Sequence, residues 1–309
     1  MFPDSDTGRP RLEARERKPA ASAPVIGQRR GDSLIRLEMV MFLRQNPSKR
    51  FCAVSSSSRV KPLDQPDDLK RYYRHPEVVA QYLQRRTAQP LNGLLHRSQV
   101  RFLNRVVRDR APSRVLEIAP GPARLTAELD LEGHGIAIDA SPAMLATARA
   151  RLRERGKDNW QVLRGDAFTL PFNDATFDFA FTTKFIRHFQ LNDRQRLYAE
   201  IRRVLTPGAA FVLDAQNRAV SLPHRQRKGL DRYAIYDVLY DEAELVAELE
   251  SVGLRVLCIE GMIRHFNVQR RLNRLRRAGL GAAASVLVNL IERLPGKNPS
   301  TWMILTEVA

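Results

Sequence analysis

Three acidic residues close successive apolar runs: Glu117 in VLEIA, Asp139 in GIAIDA and Asp166 in LRGDA. In an open parallel sheet, side chains at the carboxyl ends of strands reach the crevice where ligands bind. Asp139 follows Glu117 by 22 residues, and a carboxylate there can accept both hydroxyls of a ribose. Asp166 is placed to accept from an exocyclic amine while the Ala167 N–H meets a ring nitrogen. A surface acid is the other reading of Asp139, and a turn cap the other reading of Asp166.

The segment APGPA links Glu117 to a helical pattern. Gly121 can take a positive φ and bring backbone N–H groups near a ligand. The glycines expected on either side of it are here Ala119 and Ala123, which preserve the loop's route provided their φ stays negative. An acid beside the loop repels pyrophosphate and suits a ligand with a positive centre. The same letters also fit an ordinary strand-to-helix turn. Further along, TTKFIRHFQ holds His188, which titrates near neutrality and is the candidate base. Packing against the next helix is its alternative role. Lys184 and Arg187 suit either an anionic acceptor or a solvated surface.

These residues need a scaffold, and the chain supplies a regular alternation. SRVLEIA, HGIAIDA, WQVLRGDA, TFDFAF, AAFVLDAQ, LRVLCIEGM and STWMILTEV read as strands. PARLTAELDL, SPAMLATARARLRERG, NDRQRLYAEIRRVL and DEAELVAELESVG read as helices, as does QRRLNRLRRAGLGAAASVLVNLIERL. Ser141 followed by Pro142 is a helix N-cap and first-turn signal. The alternation predicts an α/β fold with a mostly parallel sheet covered on both faces. HPEVVAQYLQRRT and NGLLHRSQVRFLNRVVRDR read as amphipathic helices over residues 71–112, ahead of the sheet. Residues 1–70 are rich in Pro, Ser, Arg and Asp and are expected to be largely disordered, apart from the apolar stretch 33–45.

The net charge of +17 over 309 residues permits attraction to nucleic acid, anionic membrane or anionic substrates without choosing among them. Two cysteines, Cys52 and Cys258, form neither a metal motif nor a disulfide framework, which fits a reducing cytoplasm. Cys258 falls in an expected core strand. No apolar run is long enough to span a bilayer, and the first twenty residues lack the features of a targeting segment.

In order and spacing, VLEIAPGPARL, AIDASPAMLATAR, GDAFTLPFNDATFDFAF and RRVLTPGAAFVLD resemble the class I S-adenosylmethionine-dependent methyltransferases, nearest to their small-molecule, ubiquinone/menaquinone-like branch. The resemblance is good over 113–216 and looser beyond. It implies a Rossmann-like, seven-stranded sheet whose last strand is antiparallel, within a methyltransferase domain at 113–309 carrying inserts near 217–240 and 264–298. It also implies S-adenosyl-L-methionine as cofactor. Glu117 would face the methionine ammonium, with Ala119 and Gly121 in the loop. Asp139 would hold the ribose and Met144 would pack on adenine. Asp166 and Ala167 would read the adenine edge, and Thr182 and Thr183 would face the methyl group. The acceptor implied is a small or lipid-linked molecule methylated on O, N or C by in-line displacement. An RNA methyltransferase and a non-catalytic protein of the same fold are the alternatives. Tyr72, Tyr73, Tyr82 and the first insert are expected around the acceptor. The arginine-rich, then apolar, second insert suits either packing on the sheet or peripheral membrane contact.

Overall fold

The computed structural model describes residues 63, 65–75, 77–79, 89–233, 235–296 and 298–309. Expectations for Cys52, Tyr82 and the stretch 33–45 lie outside them, as does nearly all of the segment expected to be disordered.

Ahead of the sheet, the described residues include the helices α1 (Pro66–Arg74) and α2 (Pro90–Arg110). The first begins inside the segment expected to lack structure. Its signals are local, with a proline in its first turn, acids at Asp67 and Asp68, and arginines in its last turn. The sheet follows, with β1 (Arg114–Ile118), β2 (His134–Asp139), β3 (Trp160–Arg164), β4 (Phe177–Phe181) and β5 (Leu205–Asn217). Between them lie α3 (Pro142–Glu154) and α4 (Leu191–Val204). The chain continues through α5 (Arg218–Lys228), β6 (Leu239–Tyr240), α6 (Glu242–Ser251) and β7 (Leu254–Met262). It closes with α7 (Phe266–Leu272), α8 (Gly281–Glu292) and β8 (Thr301–Val308).

The sheet order is β3-β2-β1-β4-β5-β8-β7, with β6 paired to the end of β5. Strands β1 to β5 are parallel, and β8 inserts antiparallel between β5 and β7. This is the expected seven-stranded sheet plus a two-residue strand contributed by the first insert. Alternation along the central strands builds two cores. Leu116, Ala180, Leu213 and Ile304 face α4 and α6, while Val115, Phe179, Val212 and Met303 face α2 and α8.

Three expectations need correction. PARLTAELDL holds only a 3-10 turn, Thr126–Glu128, because Ala123 at φ +52 and the prolines before it spend the length an α-helix would need. The long C-terminal helix is broken into α7, a 3-10 stretch (Asn273–Ala278) and α8, with Gly279 at φ +77 marking the break. Cys258 is exposed rather than in the core, since β7 is the sheet's edge and its register shifts between Val256 and Cys258.

Candidate active site

A cavity of about 1100 Å³, mouth included, opens beyond the carboxyl ends of β1, β2 and β4. It lies where strand order reverses from β1-β2 to β1-β4, the switch point at which such sheets bind ligands. Glu117, Ala119, Gly121, Asp139, Met144, Asp166, Ala167 and His188 all line it. Thr182 does not. Its hydroxyl is buried and donates to the Ile118 carbonyl at 2.7 Å, tying β4 to β1. The strand's alternation turns Thr182 inward, so its neighbours Thr183 and Lys184 reach the cavity instead.

The loop after β1 alternates left-handed residues with prolines. Ala119 has φ +54, Gly121 +57 and Ala123 +52. The condition of a negative φ is met at neither alanine: the loop keeps a glycine-type shape, and the alanines bear the strain. Prolines 120 and 122 carry no N–H. The remaining N–H groups are already used, Ala119 on the Ile138 carbonyl at 2.9 Å, Gly121 on Asp139 Oδ2 at 3.0 Å and Ala123 on the Pro120 carbonyl at 3.2 Å. The loop thus has no free donors between Ala119 and Ala123 to cradle a pyrophosphate. A left-handed alanine costs about 1–2 kcal/mol, partly offset because glycine loses more entropy on folding. Ala119→Gly is expected to stabilise the protein by roughly 0.5–1 kcal/mol. Ala123 is fully buried, and losing its methyl costs about 0.8 kcal/mol, so Ala123→Gly should be close to neutral. Thermal denaturation of the two variants checks this contrast.

Glu117 is buried, accepts from the Thr126 hydroxyl, and has its carboxyl pushed up to about 8 by burial. Thr126 and Arg124 oppose that rise. Asp139 is held by the N–H groups of Ser141 at 2.8 Å and Gly121 at 3.0 Å, and burial still raises its carboxyl. Ser141 caps α3 through the Met144 N–H, and its hydroxyl donates to the Tyr73 carbonyl at 2.7 Å. That bond anchors α1 at the cavity. From α1, Lys70 meets Asp166 Oδ2 at 2.6 Å, while Asp166 Oδ1 accepts the Phe168 N–H at 3.1 Å. Lys70 and Ser141 were not read as site residues from the sequence, whereas Tyr73 was expected around the acceptor. The first-turn proline and acids of QPDDLKRYY were the available signal for the helix that brings Lys70 and Tyr73.

The cavity also has an aromatic lining. Phe168 and Phe185 each pack edge-on against Phe189, with ring centroids at 5.3 and 5.0 Å. His188, in the 3-10 turn Ile186–His188, lies beside them and is buried. Its Nδ1 is 2.9 Å from the Tyr236 carbonyl and 2.8 Å from Asp237 Oδ1. Both neighbours are acceptors, so the neutral ring carries its proton on Nδ1 and keeps Nε2 as the acceptor. Arg187 is no surface cation: it pairs with Asp237 at 3.1 Å and Asp214 at 3.4 Å, all three buried or nearly so. Arg225 also contacts Asp237. Burial alone would raise the Asp237 carboxyl, but Arg187, His188 and Arg225 outweigh it and hold it well below the ordinary carboxylate range. Asp237 and Arg225 come from the first insert, where no local pattern marks them.

Residues 115–208 match the family model described as a methyltransferase domain. The ubiquinone/menaquinone biosynthesis C-methyltransferase UbiE of Idiomarina loihiensis is 33% identical over 117 residues, covering 36% of this chain and 46% of its own. A demethylmenaquinone methyltransferase of Clavibacter sepedonicus is 37% identical over 110 residues, covering 35% and 43%. The chain spans about half the length of the curated relatives it matches. Among solved structures, a Thermotoga maritima protein described as a S-adenosylmethionine-dependent methyltransferase superposes with TM-score 0.50 at 18% identity, covering 76% of this chain and 98% of that one. A Pyrococcus horikoshii protein gives 0.51 at 17% identity, covering 72% and 95%. The fold is that of the class I S-adenosylmethionine-dependent methyltransferases. Over 115–208 the chain is similar to methyltransferases of the ubiquinone/menaquinone type.

The cofactor of this class is S-adenosylmethionine, and the residues present fit it. A buried carboxyl with a raised pKa awaits a cation, carboxylates close the next two strands, and the loop's donors are already occupied, which disfavours a pyrophosphate ligand.

Proposed function

We propose that this protein transfers a methyl group from S-adenosylmethionine to a small or lipid-linked acceptor bearing an aromatic ring of the quinol type. The observation that carries the reading is a single cavity lined by both kinds of group: the carboxyls Glu117, Asp139 and Asp166, read as the cofactor end, and Phe168, Phe185, Phe189 and His188, read as the acceptor end. The bound cofactor supplies an activated methyl group on a sulfonium, with a neutral thioether as leaving group. Glu117 pairs with its ammonium, Asp139 accepts from its ribose, and Asp166 with Ala167 reads its adenine. Met144 packs on the base, and Thr183 now takes the position expected of Thr182.

At the other end the phenylalanines hold a planar ring by face and edge, and Lys184 complements an acceptor that becomes anionic. His188 Nε2 removes the acceptor's proton, and Asp237 positions the ring by fixing the proton on Nδ1. The names of the relatives support the acceptor class: one is a ubiquinone/menaquinone biosynthesis C-methyltransferase and the other a demethylmenaquinone methyltransferase. No helix among the described residues is long and apolar enough to cross a membrane. In this reading the protein works in the cytoplasm and meets a lipid-linked acceptor by peripheral membrane contact.

The test is transfer of labelled methyl from S-adenosylmethionine into a fractionated bacterial extract, with calorimetric titration of the cofactor alongside. Label in the solvent-extractable fraction is expected. Label confined to RNA would overturn the acceptor class, and absence of cofactor binding would overturn the activity.

A further inference from the structure

The region between β7 and β8 carries a surface that the cavity does not use. Residues 261–291 contain six arginines and no acidic residue. The flanking acid Glu292 is turned inward, where it accepts from the Ile263 and Arg264 N–H groups at 2.9 and 3.0 Å and from Gln269 at 2.7 Å. Within α8, Ala284 and Val288 are buried, in register at i and i+4. The opposite face is apolar and open to solvent. Val286, Leu287, Leu290 and Leu294 are 59, 41, 49 and 54% exposed; Val286, Leu290 and Leu294 stand at i, i+4 and i+8, with Leu287 beside them, along one side of the helix and its C-terminal end. Leu280, before the helix, is 53% exposed as well.

A solvated helix that merely covers a core puts polar side chains on its outer face. This one puts leucine and valine there, with the exposed arginines Arg264, Arg271, Arg274 and Arg293 in the segments that flank it. We infer that the outer face of α8 and these arginines form a docking surface for an anionic lipid bilayer. Apolar side chains entering the headgroup boundary and arginines meeting lipid phosphates are the two components of interfacial binding. Nucleic acid accounts for the arginines but not the leucines, and a second copy of this basic surface would be repelled by the first. Docking here would also bring the cavity close to lipid. Asn289 accepts from Arg97 at 3.1 Å, and the adjacent His96 contacts Arg124, which lines the cavity. The inference rests on the lipid-linked reading for its biological sense, but its test reads binding rather than methyl transfer.

The full chain is floated with vesicles of phosphatidylcholine alone, or with about a third phosphatidylglycerol, at low and high salt. Association with the anionic vesicles only, reduced by salt, is expected. Leu287→Glu/Leu290→Glu and Arg271→Glu/Arg274→Glu should each cut bound protein at least tenfold. Both pairs are exposed, so melting temperature and S-adenosylmethionine binding should stay unchanged. No association at low salt overturns the inference, as does association that survives both double variants. So does a parent protein that runs as a dimer in light scattering and becomes monomeric in the leucine variant, since the face would then be a self-interface. RNA binding that needs the arginines and ignores the leucines overturns it too. If the vesicles bind but no methyl acceptor is found, the docking surface stands and the acceptor reading falls.

Discussion

Glu117→Gln is expected to weaken S-adenosylmethionine binding by roughly 10- to 100-fold, the worth of a charged hydrogen-bonded pair, while making the protein more stable. Both effects follow from the carboxyl's pKa of about 8 in the ligand-free protein. At neutral pH the group is largely protonated, so an ammonium can pair with it only by expelling that proton. Affinity should therefore rise with pH up to about 8, and proton release should accompany binding. Above that, the ligand's own amino group, with an ordinary pKa of about 8, loses its charge and affinity falls again. The glutamine variant loses the rising limb. Calorimetry in buffers of different ionisation enthalpy counts the protons directly.

The stability effect has a definite sign. Burial makes the folded chain bind this proton more tightly than the unfolded one, whose glutamate titrates at 4.5. The stabilisation is complete below 4.5 and is lost as pH rises through 8. Glutamine is neutral at every pH and can still accept from Thr126. The variant should exceed the parent by roughly 1 kcal/mol at pH 5.5 and by several at pH 8. Equal melting temperatures at pH 8 would show that Glu117 does not titrate in this way, and unchanged cofactor affinity would remove it from the methionine end.

The second large effect concerns the acceptor end. His188→Ala should lower kcat by about 10²- to 10⁴-fold, the range for a general base, with cofactor affinity unchanged because the base does not touch the cofactor. Any pH dependence of kcat that His188 carries should vanish in the variant. Asp237→Asn tests the positioning role separately. An asparagine amide can donate to Nδ1, which permits the tautomer with its proton on Nε2 and so removes the base. A drop in kcat of at least tenfold is expected, with KM little changed. The same substitution leaves Arg187 and Arg225 facing a neutral group in a buried setting, so melting temperature falls as well. Asp237→Glu, which retains the charge, should recover part of kcat. If kcat simply follows stability across these variants, and the alanine variant keeps the parent's pH profile, His188 is a packing residue and the base lies elsewhere.

The strands and three acids at their ends were legible because parallel strands buried on both faces are apolar runs, and an acid closing such a run stands out. The helix N-cap at Ser141 was legible for the same local reason. The helix Pro66–Arg74 was not read from the sequence, although its first-turn proline and acids could have set its start. Thr182 and Thr183 are adjacent and chemically alike, so only strand alternation, fixed by where β4 pairs with β1, decides which one reaches the cavity.

By itself, then, the order of residues determined the α/β class, the sheet's parallel run and the acids at its carboxyl edge, all of which depend on near neighbours and hydrophobic periodicity. Only the tertiary structure decided three things. It set the positive φ of Ala119 and Ala123, because the loop is held between β1 and β2 by bonds to Ile138 and Asp139. It brought Asp237 and Arg225 from the first insert to Arg187 and His188, a meeting of groups distant in the chain. It left the leucines of α8 outside, because α2 accepts one face of that helix and the other meets no core.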